Sequence, residues 1–104
     1  MSNSLLSEQY RLKGLEWSEA DRAASLLEEL KTATLSQMKA KLGDMPDSRA
    51  ETRVKASPEW EDYIRTMVEA RHVANDMRVE LEAVRMRHRE WIGEDANKRA
   101  EMKL

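Results

Sequence analysis

The chain has no cysteine and no phenylalanine, and its 104 residues include only three glycines, two prolines, three tryptophans and two tyrosines. Without cysteine there is no disulfide framework and no thiolate chemistry, which fits an intracellular protein. With so few aromatics and 37% charged residues, the composition cannot fill a thick globular core. It is also too rich in Ala, Leu, Met and Glu for ordinary disorder, and it suits long helices with narrow apolar stripes. No run approaches the roughly 20 apolar residues of a membrane span. The opening segment "MSNSLLSEQYRLKG" lacks the basic and apolar regions of a signal peptide. The expectation is a soluble, cytoplasmic protein with no membrane contact.

Catalytic equipment is missing as well. There is no Gly-rich phosphate loop and no serine placed beside a histidine base, and Glu80 and Glu82 point to different faces of their helix. His88 has Val84, Arg85, Trp91 and Ile92 at the helical spacings where a second metal ligand would stand, and His72 lies on another face. The expectation is a protein that is not an enzyme and holds no metal or cofactor. A net charge of −2 gives no general attraction to nucleic acid, so any such contact needs a local patch.

What is present is helical periodicity. Residues 4–13, with Leu5, Leu6 and Tyr10, predict a short helix stopped by Gly14. Ser18 can cap a second helix over 18–42, where Ala20, Ala24, Leu27, Leu30, Thr34, Met38 and Leu42 recur every three or four residues. Gly43 and Pro46 end it. Residues 43–57 are polar and punctuated and predict a connector, with room for a turn or two of helix. "SPEW" then gives Ser57 as cap and Pro58 as first helical residue. The long helix that follows runs over 58–92, with an extension to 102 open.

In that helix Trp60, Tyr63, Met67, Ala70, Ala74, Met77, Leu81 and Val84 alternate in steps of three and four, and His88 and Trp91 continue the pattern. This is a heptad repeat. The fold expected is all-α in a single domain: an elongated antiparallel helical hairpin or small bundle with one long C-terminal helix. The second arm outruns the first by about ten residues. A two-helix hairpin buries little surface, so residues 60–84 of the repeat predict a self-association seam in an oligomeric coiled coil.

Arg71, Arg78 and Arg85 are seven apart and share one stripe beside the seam, and Arg87 and Arg89 follow in "RMRHREW". One reading is a solvated face with salt bridges to Glu82 and Glu90. The other is a nucleic-acid surface with Trp91 as a stacking platform, because arginine beside an aromatic is the usual chemistry of single-strand binding. Arg85 and Arg89 repel at i,i+4, which a purely structural face does not need.

The stretch from Ser57 to Leu104 carries Glu69–Arg71, Ala74–Asn75, Arg78–Glu80, Glu82, Arg85, Glu90–Trp91 and Arg99–Met102. In these residues it resembles the C-terminal half of small phage and prophage helical proteins encoded among DNA-metabolism genes. The likeness covers a little under half of the chain. By size and helical make-up it is also similar to phage recombination mediators, which load a recombinase onto single-stranded DNA as oligomers. The resemblance implies a non-enzymatic accessory protein of recombination or replication in a bacterial host. Its partners would be a second copy and single-stranded DNA or a recombination or replication protein. The alternative is a protein-only adaptor or inhibitor that presents the long helix to a host or phage protein.

Overall fold

The computed structural model describes residues 3–103 as four helices: α1 (Asn3–Glu29), α2 (Lys31–Ala40), α3 (Asp47–Lys55) and α4 (Pro58–Lys103). There is no strand among the described residues, and no helix there is long and apolar enough to cross a membrane. The molecule is a rod of 83 × 16 × 16 Å with a radius of gyration of 23.2 Å. A compact chain of this length would have about 13 Å. α1 and α4 lie antiparallel along the rod, and α2 and α3 form a small head at one end.

α4 begins as its sequence dictates. The Ser57 hydroxyl accepts a hydrogen bond from the Trp60 amide at 3.2 Å and donates one to the Val54 carbonyl. The cap thereby satisfies one of the free amides of the first turn and ties it to the end of α3. Glu59 and Glu61 complement the positive end of the helix. The helix then continues through the expected limit at residue 92 to Lys103.

The first arm differs from expectation. Gly14 does not end a helix. α1 passes through it, and Gly43 alone among the glycines has positive φ, at 79°. A glycine inside a helix costs only about 1 kcal/mol against alanine, and α1 recovers more by keeping one continuous inner face. Leu6 and Ala24 are buried and Trp17, Ala20 and Leu27 half-buried along that face. The expected second helix over 18–42 is interrupted instead at Leu30 (φ −85°, ψ −1°). There the Tyr63 hydroxyl reaches the Leu27 carbonyl, so α4 is within two turns of its start at Pro58. Further on, α4 has no surface left to offer, and the chain packs onto α3. Within the expected connector, Ala50 and Val54 are buried at an i,i+4 spacing and give α3 its inner side.

These boundaries move the seam. Trp60, Ala74 and Val84 are buried, and Tyr63, Met67, Ala70, Met77 and Leu81 are half-buried, all within one chain. The residues expected to hold copies together are therefore used inside the hairpin, because an uninterrupted α1 covers them. Ala24 and Ala74 are both fully buried, and small residues at such positions let helix backbones approach. Gly14 stands 3.9 Å from Leu81 when given a Cβ. Counting outward from that contact sets Asn3 near residue 92, so α4 residues 93–103 have no described part of α1 beside them.

Candidate nucleic-acid interface

The expected arginine surface is split by its own helix. Residues seven apart share a flank of a heptad helix, so Arg71, Arg78 and Arg85 lie along one edge of the seam, with Arg89 just outside them. Arg87 falls on the opposite edge. Its neighbours there are Glu80 and Glu94, seven residues to either side, with Glu90 at i+3.

Arg71 does not belong to an open surface. Its guanidinium donates to both Glu28 carboxylate oxygens at 2.9 and 2.7 Å, to Asp21 at 2.7 Å and to the Ser25 hydroxyl at 3.3 Å. Hydrogen bonding to Glu28 first, and then to Asp21, holds it well above its usual pKa. The same contact holds the Glu28 carboxyl below the usual carboxylate range. Arg71 fastens α4 to α1 and is removed from the candidate interface.

Opposite Arg78 the only carboxylate α1 supplies is Asp21, which Arg71 already holds, and opposite Arg85 it supplies none. One heptad on from Asp21, Ser25 and Glu28 are Gly14, Ser18 and Asp21, and the next brings Ser7, Arg11 and Gly14. Arg85 turns back to Glu82 on its own helix, at 3.1 and 2.8 Å. Arg11 does the same with Glu8, which holds that carboxyl below its usual range. Arg78, Arg87 and Arg89 have no ion pair among the described residues. The outcome is a ridge of Arg11, Arg78, Arg85 and Arg89 near the open end of the hairpin. Glu8 and Glu82 offset two of its four charges. Trp91 is half-buried in line with the seam, so its ring is not a fully open platform.

Arg11 was not expected in this ridge. Its signal was the i+3 and i+7 spacing to Gly14 and Ser18, which becomes readable once α1 is known to be continuous. A second concentration of positive charge was hidden by the reading of residues 43–57 as a connector. Residues 31–57 hold Lys31, Lys39, Lys41, Arg49, Arg53 and Lys55 against only Asp44, Asp47 and Glu51. Lys39 pairs with Asp47 and Lys55 with Glu51. Lys41 and Arg53 line an open cavity of about 390 Å³ floored by Met38, Leu42 and Val54.

The outer sides of both arms carry apolar residues in addition to those of the seam. On α1 these are Leu12, Leu15 and Leu26, with Leu30 at the break, each 46–56% exposed. On α4, Val79 is 67% and Met86 57% exposed, and with Arg78, Glu82 and Ala83 they line one shallow surface. Among the described residues no group of three His, Asp or Glu side chains could hold a metal ion. Comparison with protein-family models, curated proteins and solved structures gives no match.

Proposed function

We propose that this chain is a non-enzymatic helical adaptor, acting through contacts made by the faces of a rigid rod. The observation that carries this reading is the pair of apolar outer faces on a hairpin whose inner seam is already filled. Exposed apolar residues in rows, rimmed by charge, mark interaction surfaces. On α1 the leucines stand among six acidic residues and only three basic ones. That face suits a partner helix or groove with an apolar strip and basic edges. The setting we propose is the one the sequence resemblance implies, an accessory step of phage DNA metabolism.

Single-strand binding is the second reading, and the ridge of Arg11, Arg78, Arg85 and Arg89 favours it. Two of those four charges are offset locally, so this surface would bind weakly and with a shallow salt dependence. Affinity capture from phage-infected host cells, with and without nuclease, separates the two. The adaptor reading expects a nuclease-resistant partner that is lost with Leu15→Asp and kept with Arg78→Gln/Arg89→Gln. The nucleic-acid reading expects the reverse, with oligonucleotide anisotropy that falls as salt rises. An Arg49→Gln/Arg53→Gln variant tells a site on the head from one on the ridge.

A further inference from the structure

The chain exposes 8000 Å² for a mass of 12.1 kDa. A compact protein of that mass exposes about 6000 Å². The excess of about 2000 Å² is more than twice the ~800 Å² that a standard interface removes from each partner. Something is well placed to cover part of this rod, and the outer face of α4 shows what fits.

Val79, Ala83, Met86 and Gly93 recur at four, three and seven residues along the side of α4 turned away from α1. A Cβ at Gly93 would meet nothing within 4 Å, so this glycine leaves an open notch on the same stripe. Glu82 and Arg89 are seven apart on one border of the stripe, and Glu80 and Arg87 are seven apart on the other. Each border thus carries an acid seven residues before a base. Such a border matches a copy of itself run in the opposite direction.

We infer that two copies of this chain pair through these outer α4 faces, antiparallel, with Ala83 of each opposite Met86 of the other. In that register Glu82, which also accepts from Arg85 of its own helix, meets Arg89 of the second copy, and Glu80, which Lys13 of α1 reaches at 2.9 Å, meets Arg87, each twice by symmetry. Arg87 and Arg89, which have no ion pair among the described residues, each gain one. Large Met86 packs over small Ala83, Asp76 faces the notch at Gly93, and Glu90 stands against Val79 with no acid opposite it. A parallel pairing would instead set Glu90 against Glu90 and Asp76 against Asp76. Residues 66–103 of the two helices overlap, about 57 Å of helix, and the overhang beyond residue 92 then lies along the second copy. The outer face of α1 is less suited to pairing with itself, because its acidic excess would be doubled. It stays free on both sides of the pair, and the adaptor becomes bivalent.

This inference deepens the adaptor reading, and the two fail separately. A monomeric chain that still captures a partner through α1 overturns the pairing alone. A dimer that captures nothing overturns the adaptor alone. Sedimentation equilibrium of the full chain tests the pairing, with circular dichroism as the check on folding. Wild type should be a dimer at tens of micromolar. Glu82→Arg and Arg89→Glu should each weaken it about tenfold with helicity unchanged, since two exposed pairs become repulsive. The double variant should restore most of the affinity. A wild-type monomer, or a double variant no better than the singles, overturns the inference. Direction is read by oxidation, since the chain has no cysteine of its own. Ala83→Cys mixed with Met86→Cys should cross-link. Val79→Cys alone should not, and a Val79→Cys homodimer would overturn the antiparallel register.

Discussion

Substituting Gly14 with alanine distinguishes two incompatible accounts of the first arm by sign alone. If Gly14 ended a helix in the left-handed region, an added Cβ would be strained and the protein would lose stability. In the structure Gly14 lies inside α1 without positive φ, and a Cβ there meets only the Leu81 Cδ1 at 3.9 Å, an ordinary contact. Gly14→Ala therefore removes unfolded-state freedom, improves helix propensity and adds one methyl to the seam. The expected gain is about 1 kcal/mol. For a domain of this size that raises the melting temperature by about 4–8 °C. Gly43→Ala is the internal control. With φ at 79° it should lose about 1 kcal/mol although nothing lies within 4 Å of the added carbon. Thermal melts followed at 222 nm at fixed protein concentration measure both. A Gly14→Ala variant that melts below wild type would refute the continuous α1 and the seam built on it.

The seam and its ties give further expectations. Ala74→Leu should cost about 1–3 kcal/mol in urea titrations, because Ala74 is fully buried where the helices meet; a neutral effect would mean the arms stand further apart. Trp60→Ala should cost about 3 kcal/mol or more, as the ring is 6% exposed and stacks on Tyr63 at 5.7 Å; an unchanged denaturation midpoint would place the ring outside the packed junction of α3 and α4. The Glu28 carboxyl is held low by Arg71, so its contribution is present above the ordinary carboxylate value and lost as pH falls through the lowered one. Glu28→Gln should accordingly flatten the fall in melting temperature on the acid side, and an unchanged acid limb would show that Arg71 does not hold it in solution.

Much of α4 was readable because its signals agree with one another. The Ser57–Pro58 start, the absence of internal proline and a heptad from Trp60 to Val84 all specify one helix. Its burial pattern follows those same positions. The identity of the residues covering the seam was not readable, since a heptad gives the width of a stripe and not whose helix lies on it. That turned on Gly14, where the propensity cost is small and tertiary packing decides. Leu30 carries no breaker signal at all. The break between α1 and α2 falls where α4 runs out, which is a property of the other arm. For the arginines, spacing by seven placed Arg71, Arg78 and Arg85 on one edge, yet only the structure shows that Asp21 and Glu28 of α1 both pair with the first and not with the other two. Arg87 could have been set on the far edge by the same arithmetic, since it lies two residues beyond Arg85.

The central claim is that α1 fills the α4 seam within the same chain. Spin labels on Ser18→Cys and Arg78→Cys test it by pulsed electron resonance, because both residues are exposed and lie near the Gly14–Leu81 contact. A hairpin with helix axes about 8–10 Å apart requires one short distance that persists at full amplitude when labelled protein is diluted in unlabelled protein. A short distance that fades on dilution, or a long one in its place, would show that the seam is covered by another copy and would contradict the hairpin.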